Sequence, residues 1–260
     1  MEMRKVASSE AAAVNSERRR DVAEAPLLEP PDLCVVVPTF REKENVSELV
    51  HRVRSVLQGR AWELIFVDDS DDATPRVVTS TGLPQVRLVH RWPDERQGGL
   101  AGAVCTGFAA ARGDCLAVMD GDLQHDPARL RDLAGALDHV DIAIASRFVD
   151  GGGGGAGLDG GYRETASHAT RMTVRALFPR IRHVRDPLAG YFALRRSVLD
   201  GADLRPEGFK ILLEILVKGR STDVAEVPFA LAPRADGVSK ADLREGVRFG
   251  KHVLRLRLGR

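Results

Sequence analysis

The 260-residue sequence is poor in cysteine, has almost no excess of charge and contains no long apolar run, and each shortage removes a class of protein. Its three cysteines, Cys34, Cys105 and Cys115, form no CxxC pair and no Cys/His grouping, which argues against a zinc module. An odd number of thiols, set in apolar or small-residue runs, fits a reducing cytosol. Lys and Arg number 38 against 37 Asp and Glu, a net charge of +1. That rules out a globally basic coat for nucleic acid and confines any basic site to a local patch. No stretch approaches the roughly 18 apolar residues that cross a bilayer. Residues 1–31 lack the apolar segment of a signal peptide and read as a disordered N-terminal arm ended by Pro30-Pro31. Missing too are G-x-G-x-x-G after the first strand, where Pro38-Thr-Phe-Arg41 stands, and any G-x-x-x-x-G-K-[ST]. These gaps argue against a dinucleotide-dependent oxidoreductase and against a P-loop kinase or ATPase.

What is present is 43% hydrophobic and 29% charged, enough for a packed core in a single α/β domain. Short apolar runs at 33–37, 64–67, 86–89, 115–119, 142–145 and 224–230 read as buried strands. Helical patterns mark 46–57, 100–111, 130–137 and 211–217. Strands alternating with helices predict a mostly parallel, Rossmann-like sheet flanked by helices. The second half carries a glycine-dominated, mobile loop at 151–161 and an Arg-rich stretch at 163–196. In 247–260, Arg248, Lys251, Arg255, Arg257 and Arg260 surround Val247, Leu254 and Leu258, which share a helical face. The division is therefore an arm at 1–31, a domain at 32–246 and a basic tail helix at 247–260, suited to solvent or to a membrane surface.

Ligands of such sheets bind beyond the carboxyl ends of the strands, and acids stand there. Asp120-Gly121-Asp122 offers two carboxylates one residue apart. They can share a hard divalent cation, Mg²⁺ or Mn²⁺, which favours oxygen ligands and bridges to substrate phosphates; Gln124 can add an amide oxygen. The plainer reading is a helix cap, but a second acidic pair on another strand end favours a metal–diphosphate site. That pair, Asp68-Asp69, can accept hydrogen bonds from a ribose or base, or can belong to a solvated turn. Residues 97–102 permit close backbone approach, for a ligand or for packing. Arg147, after the strand at 142–145, and Arg234 with Ser239 and Lys240 in a Pro/Gly loop suit phosphate oxygens. The rest of the Arg-rich stretch has the ordinary reading of a solvated helix face. His125 reads as a neighbour of the acids or a surface group, not as a ligand.

Seven blocks then occur in order: Val37-Pro-Thr-Phe-Arg-Glu-Lys-Glu-Asn45, Val67-Asp-Asp69, Met119-Asp-Gly-Asp-Leu-Gln-His125, Ala145-Ser-Arg-Phe148, Asp186-Pro-Leu-Ala-Gly-Tyr-Phe-Ala-Leu-Arg195, Gly208-Phe-Lys-Ile-Leu-Leu-Glu214 and Arg234-Ala-Asp-Gly-Val-Ser-Lys240. Over roughly 33–250 the chain resembles the inverting GT-A glycosyltransferases of family 2, specifically the polyprenol-phosphate (dolichol-phosphate) mannose synthases. It departs from their usual pattern at Arg41, Ala189 and Val238. The resemblance implies a GT-A fold, a nucleotide-sugar donor (GDP-mannose) and a polyprenyl phosphate acceptor. By position, Pro38, Phe40, Glu42, Val67 and Asp69 would hold the nucleoside. Asp120, Asp122 and Gln124 would hold Mg²⁺ or Mn²⁺ on the diphosphate, with Gly121 between them at the donor. Arg147, Arg234 and Lys240 would bind phosphates, Arg163 and Ser239 would lie at the acceptor, and Asp122 and Arg147 would carry catalysis.

The implied partners are the donor, the lipid phosphate, an anionic membrane surface and a membrane subunit, with no nucleic acid. The implied location is the cytosolic face of a membrane. Two rivals remain at this stage: a family 2 transferase using UDP-glucose, another nucleotide sugar or a soluble acceptor, and a non-catalytic nucleotide-sugar-binding subunit. The loop at 151–161 is expected to act as an acceptor lid.

Overall fold

The computed structural model describes residues 30–154, 161–221, 223–232 and 243–259, with side chains described except at 161–167, 243–245 and 247. Most of the arm, residues 155–160 of the glycine loop, and Arg234, Ser239 and Lys240 lie outside the described residues. Seven strands, β1 (Leu33–Thr39), β2 (Trp62–Asp68), β3 (Val86–His90), β4 (Cys115–Val118), β5 (Ile142–Ser146), β6 (Phe192–Arg195) and β7 (Val224–Pro228), form one sheet. Their order is β3-β2-β1-β4-β6-β5-β7, and every pairing is parallel except those of β6 with β4 and β5. The described helices are α1 (Val46–Val56), α2 (Thr74–Ser80), α3 (Gly99–Ala110), α4 (Arg129–Ala136), α5 (Gly161–Leu177), α6 (Ile211–Lys218) and α7 (Leu243–Arg257).

The continuous apolar runs follow from burial on both faces of the sheet. Cys34 and Val36 of β1 join Ile65 and Val67 of β2 on one face, under α3 and α6. Leu33, Val35 and Val37 join Leu64 and Phe66 on the other, under α1 and α4. The small residues of α3 let it lie close to the sheet. A Cβ at Gly107 would fall 2.9 Å from Val36 Cγ2 and 3.1 Å from Val67 Cγ2, inside ordinary contact.

Two elements escaped the sequence pattern. α2 follows the acidic turn, where Asp72 Oδ1 accepts the Thr74 N–H (2.9 Å) and hydroxyl (2.6 Å) and so begins the helix. β6, four residues long, runs against its neighbours. The tail helix begins at Leu243, before the expected boundary, and is no appendage: His252 and Leu256 are buried, and Phe249 and Val253 pack on the core. Among the described residues no helix is long and apolar enough to cross a membrane.

Gly107→Ala is expected to lower unfolding free energy by about 1–3 kcal/mol through overpacking. Urea denaturation reads the loss, and adding Val36→Ala should recover part of it.

Candidate active site

The carboxyl edge of the sheet opens into a cleft of about 390 Å³. Three strand ends and one helix build it: Pro38 and Thr39 at the end of β1 with Phe40 and Glu42 beyond it, Asp69 beyond β2, Asp120, Gly121 and Asp122 beyond β4, and Gly99, Leu100 and Ala103 of α3. Seven residues singled out in the sequence therefore share one cleft. Val67 does not line it; its side chain is fully buried on the α3 face of the sheet.

A polar network fixes the strand ends. Asp68, fully buried, accepts from its β1 register partner Thr39 (2.9 Å) and from the Ser70 hydroxyl (2.6 Å) and N–H (3.1 Å). His90, its register partner on β3, stands 3.0 Å from Asp68 Oδ2. Asp69 is chelated by Arg91, whose Nε and Nη2 donate at 2.8 and 2.6 Å. The same guanidinium, 4% exposed, also donates to the carbonyls of Gln97 (3.3 Å) and Gly99 (2.9 Å), at the entry to α3. Arg91 thus ties two strand ends to the helix that walls the cleft.

The acid motif is braced from behind. The Asp120 N–H donates to His125 Nδ1 (2.9 Å), which leaves the imidazole proton on Nε2, 3.6 Å from Asp120 Oδ2. The His125 ring is buried, stacked on Tyr191 at 4.9 Å and edge-on to Phe229. Asp122 Oδ1 accepts the Gln124 N–H (3.1 Å) across Leu123, a non-glycine residue at φ 63°. Arg41, just after Phe40, is the other among the described residues, at φ 61°. Such left-handed residues cost of order 1 kcal/mol and gather at functional sites. Gln124 does not line the cleft. Its amide nitrogen donates to the Ala232 carbonyl (2.9 Å), so the amide oxygen is the atom suited to a cation.

Two cations stand on the β5 and α6 side, Arg147 and Lys210, and neither is among the residues that line the cleft. Arg147 Nε is 3.2 Å from Asp186 Oδ2, and its guanidinium lies over the Phe148 ring. Asp186 is fully buried, and its Oδ1 has no hydrogen-bond partner among the described residues. Lys210, unassigned from sequence, is half-buried and donates from Nζ to the Leu188 carbonyl (2.8 Å). Burial first, then Arg147, pushes its pKa down to about 8, while Asp186 and Asp120 oppose the fall. Its block was legible in the sequence, but its charge and depth were not. Arg163 falls on α5, and its side chain is outside the described set.

Among the described residues, no three His, Cys, Asp or Glu side chains converge on one point. The described residues therefore supply no complete cage of such groups. Two carboxylates on a cleft wall do fit a Mg²⁺- or Mn²⁺-type ion whose remaining ligands are water and phosphate oxygens.

A sheet of this order, wound around a nucleotide-sized cleft with paired acids at its carboxyl edge, defines the GT-A class of glycosyltransferases. Residues 34–201 match the family described as Glycosyl transferase family 2, and the chain belongs to that family. It is 40% identical over 229 residues to a dolichol-phosphate mannosyltransferase of Pyrococcus furiosus, covering 86% of this chain and 63% of that protein. The chain therefore spans less than two thirds of that relative. It is 35% identical to the Saccharomyces cerevisiae dolichol-phosphate mannosyltransferase, covering 80% of each. To the polyprenol monophosphomannose synthase of Mycolicibacterium smegmatis it is 30% identical, covering 90% and 92%. Among solved structures, Mycobacterium tuberculosis glucosyl-3-phosphoglycerate synthase with Mn²⁺, UDP and glucosyl-3-phosphoglycerate superposes with a TM-score of 0.64 at 22% identity, over 88% of this chain and 79% of that one. That likeness is one of fold.

Because Lys210 is charged below its pKa and neutral above it, anion binding at the cleft should weaken as pH rises through about 8. Calorimetry with GDP and Mg²⁺ is expected to show about tenfold lower affinity at pH 9 than at pH 7. Lys210→Met should flatten that dependence.

Proposed function

We propose that the protein is an inverting glycosyltransferase that moves mannose from GDP-mannose to a polyprenyl (dolichyl) phosphate, giving polyprenyl-phosphate mannose. The observation that carries this reading is the pairing of Asp120 and Asp122 on one wall of the cleft that Phe40 and Asp69 share. The names of the three relatives support the sugar and the acceptor class.

In this reading Phe40, Glu42, Pro38 and Asp69 hold the nucleoside, with Val67 setting the strand end beneath it. Asp120, Asp122 and the Gln124 amide oxygen would hold Mg²⁺ or Mn²⁺, which would supply neutralisation of charge on the diphosphate. Arg147 and Lys210 face the same charge from the other side, and Arg234 and Lys240 bind phosphates in the same reading. Arg163 and Ser239 serve the acceptor phosphate.

The acceptor brings its own nucleophile. A phosphate monoester has a second pKa of about 6, so it is largely a dianion at neutral pH. Its oxygen bonds to the anomeric carbon as the bond to the nucleoside diphosphate breaks and the electron pair leaves with the diphosphate. The configuration inverts, and an α-linked donor yields a β-linked product. Fixed cations stabilise the developing charge, and no general base is required.

Turnover of polyprenyl phosphate with labelled GDP-mannose, but not UDP-glucose, tests the donor. Asp122→Ala should lower kcat about 100-fold or more, in the range of a lost electrostatic stabiliser. Unchanged turnover in that variant would sink the metal–diphosphate site and favour a binding subunit.

The lipid acceptor is met at an anionic membrane surface, on the cytosolic side, with a membrane subunit as a further partner. The outer face of α7 and the turn after it suit it: Leu254, and Leu258 just past the helix, are 60% and 58% exposed, beside the exposed Arg248, Lys251 and Arg257. Each basic group near an anionic surface contributes about 1 kcal/mol. Leu254→Glu with Leu258→Glu is expected to abolish sedimentation with phosphatidylglycerol vesicles; sedimentation equal to wild type would remove α7 from the membrane contact.

A further inference from the structure

The inner face of α7 packs on the core and also grips the segment 203–210. Arg255, its side chain 19% exposed, pairs through Nη1 with Glu207 Oε1 (2.8 Å) and donates through Nη2 to the Arg205 carbonyl (2.6 Å). Phe249 stands 6.3 Å from the Phe209 ring. From the other side α6 holds the same segment: Glu214 Oε1 accepts the Arg205 N–H (2.7 Å), and Lys218 Nζ donates to the Asp203 carbonyl (2.7 Å). Glu214 is itself fully buried, and Arg255 Nη2 is 3.9 Å from its Oε1.

The far side of the segment touches the cleft wall. The Gly208 carbonyl accepts the Ala101 N–H of α3 (2.9 Å). The Pro206 carbonyl lies so near Gly98 that a Cβ there would be 2.6 Å away; with its φ of 77°, Gly98 suits this left-handed turn. Lys210 ends the segment, and Gly99 and Leu100 beside these contacts line the cleft. Contacts therefore run without a break from α7 through 203–210 to the first turn of α3.

We propose that Arg255 is a positioning residue for the cleft, setting the start of α3 and Lys210 through segment 203–210. The helix whose outer face is read as membrane-binding would then brace the donor site with its inner face. The consequence for binding rests on the donor reading; the positional claim rests on the contacts.

Hydrogen–deuterium exchange on the ligand-free chain tests it, comparing wild type with Arg255→Met, which keeps the aliphatic stem, and with Glu207→Gln, which weakens the pair from the segment side. Exchange at the Ala101 amide is expected to rise about fivefold or more in R255M and by less in E207Q, with β1 and β2 unchanged. By calorimetry, GDP with Mn²⁺ should bind R255M about tenfold more weakly than wild type. Ala101 exchange equal to wild type in both variants, or acceleration spread evenly through β1 and β2, overturns the proposal. Wild type that takes up no GDP would overturn the donor reading, and the exchange result would still decide the role of Arg255.

Discussion

The cleft depends on charges that are buried only because they are paired. Arg91 and Asp69 are the central case. A buried guanidinium is tolerable only with its donors satisfied, and Arg91 finds a carboxylate on one side and two carbonyls of the α3 entry on the other. Removing one partner of such a pair typically costs 3–5 kcal/mol, because the other is left uncompensated. The wall of the cleft and the end of β2 are thereby one unit. Asp186 with Arg147, and Glu214 with Lys218 and Arg255, extend the same logic along the β5 and α6 side.

His125 is the first residue to weigh as a general base. It is the imidazole beside the acid motif and would be the natural candidate. Yet its Nδ1 is occupied by the Asp120 N–H, and its ring is packed between Tyr191 and Phe229. A histidine so held braces the backbone of the acid motif. The buried acceptor Asp68 is similar: its hydrogen bonds go to Thr39, Ser70 and His90, and it does not line the cleft. Among the acids of the strand ends, Asp68 builds the edge, whereas Asp69, Asp120 and Asp122 line it.

Much of this was legible because it is local. Apolar runs with acids at their ends mark both β1 and β2, and Asp120-Gly-Asp122 announces itself by spacing and by the strand before it. The small residues of α3 foretold close packing, which Gly107 against Val36 bears out. What escaped depends on tertiary placement. Arg91 is one basic residue among 38. Nothing in its neighbours says that it turns inward to Asp69. Lys210 sits between Phe209 and Ile211, and only the fold tells that its ammonium approaches Leu188 rather than solvent. α2 hid behind a run of acids that looked like a turn and is in part its cap.

The reversed strand β6 explains how so many of these groups reach one edge. A parallel strand delivers to the carboxyl edge the loop that follows it. An antiparallel strand delivers the loop that precedes it. Phe192, the first residue of β6, is registered with Val118 near the end of β4 and with Ile144 of β5. The segment before Phe192 therefore enters at the cleft. It brings Tyr191 under His125, Gly190 beside the Asp120 carboxylate, the Leu188 carbonyl to Lys210 and Asp186 to Arg147. With β6 parallel, those groups would lie at the opposite end of the sheet, and neither the brace behind Asp120 nor the anchor of Arg147 could form. Four residues of reversed strand thus decide which side chains meet the acids, and no local pattern in Phe-Ala-Leu-Arg encodes that direction.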